Sequence, residues 1–237
     1  MRIAVFSDVH SNKHALDKIL TDINKQQPDK VICLGDLVGY GPRPNEVIET
    51  IKDAKIQTIM GNYDEGVGYE KGDCGCAYVT TKEKLNGQMS VDWTTEQVTH
   101  QNKDYLIRLP DRVEYYVEDH RILFVHGSPR RINEYLYEDR PKESLSRMLK
   151  DLDGDVLVCG HTHMPYHRFV DNVQIINDGS VGKPKDGDAR SCYVLLDIGD
   201  KVSVEFRRVK YPFLEVCKEI SEKGLPEAFA KALINAQ

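Results

Sequence analysis

The sequence lacks any long hydrophobic run and any excess of basic residues. No apolar stretch approaches the roughly 18 residues of a membrane-spanning helix. The first apolar stretch gives way at Ser7-Asp8, before it reaches the roughly 7–15 residues of a signal peptide. Lysine and arginine number 32 against 38 acidic residues, a formal net charge of −6, which argues against general binding of nucleic acid or anionic membranes. We therefore expect a cytoplasmic protein with no membrane partner and no stable nucleic-acid complex.

The six cysteines lack the spacing of a disulfide framework. A chain of 237 residues without a secretion signal is not of the class that depends on disulfides. Only Cys74-Gly75-Cys76 resembles a pair, and no second pair accompanies it to complete a zinc site. We expect reduced thiols, with the role of Cys74 and Cys76 left open.

The order of apolar patterns predicts an α/β fold. Over about the first 60 residues, strand-like runs alternate with amphipathic helical segments, which predicts crossover connections and a parallel sheet. From Val113 onward, short runs separated by turns predict hairpins, so we expect two packed sheets, the first half parallel and the second mixed. We predict a single domain over residues 1–237, with a helical insertion at about 65–109 and a helical tail at about 212–237.

Five strand-like runs each end in potential metal ligands. In open α/β sheets, ligands gather beyond the carboxyl ends of the strands, so these side chains are expected at one rim. Each one alone is more typical of a helix cap or a hydrogen-bonded surface group than of a metal ligand, and the prediction rests on the whole set. The set is too large for one zinc ion and suits two metals, with Asp36 bridging them through separate carboxylate oxygens. The seven residues are Asp8, His10, Asp36, Asn62, His126, His161 and His163.

The chemistry of these ligands limits the metal without fixing it. Carboxylate and amide oxygens together with imidazoles, and without a thiolate, favour two divalent or mixed-valence transition metal ions. We expect manganese, with iron, zinc, cobalt and nickel as alternatives.

The motifs, in this order, resemble the calcineurin-like metallophosphoesterase superfamily, and in particular its small bacterial and archaeal branch of phosphodiesterase-like proteins. Residues 177–182 also have a form found in that branch. The resemblance implies a four-layer αββα sandwich of two mixed sheets flanked by helices. It also implies one metal on Asp8, His10, Asp36 and His163, and a second on Asp36, Asn62, His126 and His161. The motifs are Asp8-x-His10, Gly35-Asp36, Gly61-Asn62-x-Asp64, His126-Gly127 and Gly160-His161-x-His163.

Two such ions, about 3.5–4 Å apart, would hold a bridging hydroxide that attacks phosphorus. Many members of the family carry a histidine at the position of Tyr63, commonly assigned to stabilising the transition state or protonating the leaving oxygen. Tyrosine carries no positive charge at pH 7, so poor leaving groups should suffer most. We therefore expect a phosphodiesterase for a small organic or nucleotide-like phosphodiester, with Asp36, Asn62 and Tyr63 as catalytic residues. Alternatively, Tyr63 only packs beside the site.

Three residues are predicted to bind substrate. Arg130 and Arg131 follow a ligand histidine closely, and arginine suits phosphate oxygens. Tyr40 follows a ligand aspartate and could stack on a base or cap the sheet. Lys183 and Lys185, in a polar loop, are more typical of solvated surface.

Other functions fit the same motifs. Within enzymes, a dinucleoside polyphosphate hydrolase or a protein phosphatase is the alternative. A metal-binding scaffold for protein interaction is the non-enzymatic alternative, although it predicts a broken ligand set, and all seven positions are filled here. A homo-oligomer is compatible with the sequence.

Overall fold

A computed structural model describes residues 1–150, 152 and 154–236; Gln237, the end of the predicted tail, lies outside them. Two five-stranded sheets lie between layers of helices. In chain order the elements are β1 (Arg2–Phe6), α1 (Lys13–Gln26), β2 (Lys30–Cys33), α2 (Pro44–Asp53), β3 (Gln57–Thr58), α3 (Asn62–Gly68), α4 (Thr81–Gln97), α5 (His100–Leu106), β4 (Arg112–Val117), β5 (His120–Val125), α6 (Lys142–Leu149), β6 (Val156–Cys159), β7 (Tyr166–Val170), β8 (Val173–Asn177), β9 (Ser191–Ile198), β10 (Val202–Val209), α7 (Phe213–Glu222) and α8 (Glu227–Asn235).

The first sheet has the order β10-β9-β1-β2-β3 and is mixed. β1, β2 and β3 are parallel, as predicted, but the hairpin of β9 and β10 joins them with β9 antiparallel to β1. The first sheet is therefore mixed, as the resemblance implies, and its parallel part comes from the first half of the chain. Six of the eight residues of β9 are apolar and buried, so this strand needs neighbours on both edges and cover on both faces.

The second sheet has the order β4-β5-β6-β8-β7, with parallel pairing in the middle and antiparallel strands at both edges. Three apolar clusters establish the layers. One lies between the two sheets and includes Val5 and Phe124; a second joins the outer face of the first sheet to α1, α2, α7 and α8; a third joins the second sheet to α6. The predicted αββα sandwich is confirmed.

The helices follow the sequence pattern, with one difference at the start of the predicted insertion. α1 begins after Asn12, whose side chain caps it, and it buries Ala15, Leu16 and Ile19. α3 begins at Asn62, three residues before the predicted start of the insertion at about residue 65, and the cysteine-bearing loop follows this helix. Among the described residues, no helix is both long and apolar enough to cross a membrane.

Candidate metal centre

The first group of ligands comes from the ends of β1 and β6. Asp8 and His10 follow β1, and His163 follows β6; all three are buried. The Nε2 atoms of His10 and His163 are 3.1 Å apart, and Asp8 Oδ1 lies 3.2 Å from His163 Nε2 and 3.7 Å from His10 Nε2. Ligand atoms that surround one ion at about 2.1 Å stand roughly 3–3.5 Å from one another. The spacing is therefore close to that of a metal site.

A second group lies beside the first. Asp36 follows β2, His126 follows β5 and His161 follows β6, and their ligand atoms all lie within 4.8 Å of one another. Asn62, the first residue of α3, places its Oδ1 3.0 Å from His126 Nε2. The four strand ends and the start of α3 therefore bring all seven predicted ligands together.

Asp36 lies between the two groups. Its Oδ2 is 3.7 Å from His10 Nε2 in the first group and 3.5 Å from His126 Nε2 in the second. Its Oδ1 instead accepts a hydrogen bond of 2.8 Å from the backbone N–H of Tyr63. The bridge between two metals through separate carboxylate oxygens stays a prediction. A single oxygen faces both groups, because the start of α3 holds the other.

Hydrogen bonds on the far side of the imidazoles determine which nitrogen carries the proton. His10 Nδ1 lies 3.0 Å from the carbonyl oxygen of Val38, and His163 Nδ1 contacts the carbonyl oxygen of Lys183. A carbonyl only accepts, so Nδ1 is the protonated nitrogen in both rings. Burial lowers the pKa of His10, and that of His163 to about 4, so both rings are neutral at pH 7. The two Nε2 lone pairs therefore face each other, an arrangement that a cation stabilises.

The second group has the same feature. His126 Nδ1 donates to the carbonyl oxygen of Leu34 at 2.8 Å, so its Nε2 lone pair faces Asn62 Oδ1. The Asn62 amide is oriented by its nitrogen, which donates to Cys74 O at 2.9 Å and to Cys76 Sγ at 3.3 Å. Two hydrogen-bond acceptors, His126 Nε2 and Asn62 Oδ1, therefore face each other, as the two histidine nitrogens do in the first group.

Three further observations indicate that these residues are suited to hold a metal. Asp8 Oδ1 and His161 Nε2 are buried without a hydrogen-bond partner among the described residues. Burial lowers the pKa of His161 to about 2, so its ring is also neutral. Burial raises the pKa of Asp36, and the nearby Asp8 adds to this effect, so a cation beside Asp36 would favour its ionised form. These atoms belong to two adjacent candidate metal sites.

The backbone at the ligands is strained. Asp8, His10, Asp36, His161 and His163 all have positive φ, between 47° and 64°. Residues with side chains rarely adopt this conformation, and it persists where surrounding contacts impose it, most often at functional sites. Here the strand-end loops bind one another, since the N–H of His10 donates to the carbonyl oxygen of Asp36 at 3.0 Å.

Asp8 is oriented by a buried chain of hydrogen bonds. Ser7 Oγ lies 2.5 Å from Asp8 Oδ2 and 2.7 Å from Asp178 Oδ1. The Ser7 hydroxyl can donate its one proton to either carboxyl group, and burial raises the pKa of Asp178. The chain holds Asp8 Oδ2 and leaves Oδ1 facing the histidines. Residues 177–182, noticed in the sequence only for their resemblance, supply this contact.

Tyr63 lies beside the centre within a cluster of tyrosines. Its side chain is 1% exposed, and its ring centroid is 5.4 Å from that of His10. Its hydroxyl lies 3.3 Å from that of Tyr78, which is also 3.4 Å from that of Tyr40. Burial raises the pKa of Tyr63, so it is a neutral phenol at pH 7. Its catalytic role stays a prediction.

The three residues predicted to bind substrate are placed differently. Arg130 and Arg131 are exposed, and the Arg130 guanidinium is paired with Glu134. Tyr40 is near the centre, with its ring centroid 4.9 Å from that of His10, but Lys183 Nζ lies over its ring at 4.8 Å. The structure brings Tyr40, and not the arginines, to the ligands. Their roles in binding substrate stay predictions.

Two further neighbours of the ligands were missed. The ring of Tyr135 lies 4.0 Å from that of His161 and covers it. Asp64 accepts hydrogen bonds from the backbone N–H groups of Leu37 and Gly61, at 2.9 and 3.0 Å, and so fastens two ligand loops together. The Gly-Asn-x-Asp motif contains Asp64, whereas nothing near Tyr135 in the sequence distinguishes it.

Comparisons with known proteins agree with this geometry. Residues 1–201 match the calcineurin-like phosphoesterase superfamily domain. Protein MJ0912 of Methanocaldococcus jannaschii is 32% identical over 98% of this chain and 96% of its own length. Phosphodiesterase YfcE of Escherichia coli is 26% identical over 86% of this chain and 91% of its own. The crystal structure of a metallophosphoesterase from Sphaerobacter thermophilus is 30% identical, covers 100% of this chain and 99% of that one, and has a TM-score of 0.81. The chain therefore belongs to the calcineurin-like phosphoesterase superfamily, in its small bacterial and archaeal branch.

Proposed function

We propose that this protein is a dimetal phosphodiesterase that hydrolyses a small organic or nucleotide-like phosphodiester. The observation that carries the proposal is the convergence of buried acceptor atoms on two adjacent points, with Asp36 Oδ2 between them. One ion would be held by Asp8, His10, Asp36 and His163, and the other by Asp36, Asn62, His126 and His161. When bound, two divalent ions would activate a water molecule as the nucleophile and would neutralise charge on the phosphate oxygens.

The protein's own contribution is orientation and exclusion of water. The neutral imidazoles direct lone pairs inward because their Nδ1 protons are bound to carbonyl oxygens. Burial of every ligand residue provides low-dielectric surroundings, in which charges interact more strongly than in water. Manganese is the metal that we expect to support turnover, because the donors are oxygen and imidazole nitrogen.

A preference for good leaving groups follows from what surrounds Tyr63. A buried, neutral phenol with its hydroxyl directed to Tyr78 supplies no positive charge to a departing alkoxide. Leaving groups that need little protonation, such as aryl oxides, should therefore react best. The similarity to phosphodiesterase YfcE supports the same reaction class.

The test combines metal analysis with a matched pair of substrates. Purified protein should bind about two metal ions per chain. With Mn²⁺ it should hydrolyse bis(p-nitrophenyl) phosphate faster than p-nitrophenyl phosphate, which has the same leaving group. A chelator should abolish turnover and added metal restore it. Metal binding without turnover on a panel of monoesters, diesters and dinucleoside polyphosphates would instead support a metal-binding scaffold.

A further inference from the structure

Two lysines, Lys183 and Lys185, belong to the loop that contacts His163 in the candidate centre. Among the residues that the structure describes, no carboxylate lies within 4.0 Å of the ammonium group of Lys183 or Lys185, while other basic side chains such as Arg130 are paired. The ammonium group of Lys183 lies 4.8 Å from the centroid of the Tyr40 ring, which is 4.9 Å from the ring centroid of His10. The ammonium groups of both lysines interact favourably with the carboxylate of Asp8. They therefore add positive charge at the centre itself.

The loop that carries these lysines is fastened to the ligand loops. The N–H of Gly182 donates to the carbonyl oxygen of Asp8 at 2.9 Å, and the N–H of Lys185 donates to that of His163 at 3.3 Å. A Cβ at Gly182 would lie 1.8 Å from Val9 O, so only glycine permits this approach. The lysines are thus held at the centre by the backbone, which is unlike a solvated surface loop.

The carboxylates of the centre do not account for this positive charge. Two divalent ions more than neutralise Asp8 and Asp36, the two carboxylates in the ligand groups. Lys183 and Lys185 then add to a site that is already positive, where like charges repel. A simple diester has a single negative charge, which would offset the charge remaining on the metals and their hydroxide, and would leave the two ammonium groups without an anionic partner. A second anionic group on the substrate would supply that partner.

We propose that Lys183 and Lys185 form a subsite for a second phosphate group, so that the natural substrate is a phosphodiester carrying an additional phosphate near the scissile bond. This inference rests on the proposed function, since it assigns the substrate class of the same centre. Lysine is suited to the role because its ammonium group is a compact charge with three donors for phosphate oxygens.

The test compares two ligands that differ by one phosphate. Calorimetric titration of the metal-loaded protein would measure the dissociation constants of thymidine 5′-phosphate and thymidine 3′,5′-bisphosphate. We expect the protein to bind the bisphosphate about tenfold or more tightly, since the second phosphate would accept charge-assisted hydrogen bonds from the ammonium groups. Lys183→Met and Lys185→Met should each reduce that preference, whereas Lys183→Arg and Lys185→Arg should keep most of it. The matched control is Lys201→Met, an exposed lysine distant in sequence from the ligands, which should leave the preference unchanged.

Hydrolysis of the p-nitrophenyl 5′-esters of the same two nucleotides gives a second readout. In the Lys183→Met and Lys185→Met variants, KM should rise more for the ester with the 3′-phosphate than for the ester without it. Equal affinity for the two nucleotides in the unaltered protein, or an equal loss of both in the methionine variants, would overturn the subsite. Turnover of bis(p-nitrophenyl) phosphate, measured in parallel, reports on the proposed function separately. Its absence would count against the phosphodiesterase while the ratio of dissociation constants still decides the subsite.

Discussion

The two halves of the candidate centre share Asp36 but are supported in different ways. In the first half, Asp8 is held by a buried chain through Ser7 to Asp178, entirely within the loops at the strand ends. In the second half, Asn62 is oriented by Cys74 and Cys76, in a loop outside both sheets. The difference teaches that one site is built by the core and the other partly by a peripheral segment. We expect the first site to hold its metal more tightly.

Asp36→Asn should have the largest effect, because it changes the group that both halves share. Asparagine keeps the size but removes the charge of the oxygen that faces His10 and His126. Both metals should bind more weakly, and kcat for bis(p-nitrophenyl) phosphate should fall by about a thousandfold or more. Steady-state kinetics and elemental analysis measure the two effects. The matched control is Asp104→Asn, an exposed aspartate on α5, and normal metal content with normal kcat in Asp36→Asn would contradict the bridging role.

The comparison itself is tested by His163→Ala and Asn62→Ala. Each removes one ligand, from the first and the second half respectively. Asn62→Ala should retain one tightly bound metal, because the core-built site keeps all its ligands. His163→Ala should lose that tight site and leave the weaker one. Metal titrations should therefore show different residual affinities, and identical titration curves would remove the distinction between the halves.

Metal removal should destabilise the protein. Without a cation, buried acceptors face each other, as with the Nε2 atoms of His10 and His163 at 3.1 Å. A ligand that binds only the folded state at 100 times its Kd adds about 2.7 kcal/mol to the free energy of unfolding. A chelator should therefore lower Tm by several degrees, and Asn62→Ala, with one site intact, should show a smaller change. Equal Tm with and without metal would argue against a structural contribution.

Cys76→Ala should weaken only the second site, by about tenfold, as expected for a group that orients a ligand. Cys74 donates to Cys76 and lowers its pKa to about 7. The thiolate forms as pH rises through that value, so iodoacetamide should modify Cys76 with a half-maximal rate near pH 7. Cys217, whose pKa burial raises, is the internal control and should react only at higher pH. Modification should reproduce the metal affinity of Cys76→Ala; unchanged affinity would leave Asn62 independent of the cysteine.

Much of the fold was predictable because it follows from local patterns. Apolar runs, the Asn12 cap and the break between α7 and α8 are each visible within a few residues of sequence. The pairing of β9 with β1 was not, because Arg2 and Asp197 meet across almost the whole chain. Nothing local distinguishes a strand that joins the second sheet from one that returns to the first.

The candidate centre, like the fold, was predictable from the sequence only in part. The ligands were predictable since each follows a strand, and parallel strands place their carboxyl ends together. The orientation of basic side chains was not. Arg130 lies near His126 in sequence but pairs with Glu134, whereas Lys183 reaches the centre through the contact of Gly182 with Val9. Such contacts depend on backbone approach between distant segments, which spacing along the chain does not encode.

Tyr63→Phe should have the smallest effect, and it tests whether either half depends on the phenol. The hydroxyl lies 3.3 Å from that of Tyr78, and burial raises its pKa, so it can donate a hydrogen bond but ionises with difficulty. If it assists the leaving group, the loss in kcat should grow with the pKa of the leaving group, and stay within about tenfold for a neutral hydrogen bond of 0.5–1.5 kcal/mol. Measurements across a graded series of aryl and alkyl diesters decide this. A uniform loss would mean that Tyr63 acts by packing against His10, and so supports the first half of the centre rather than the reaction.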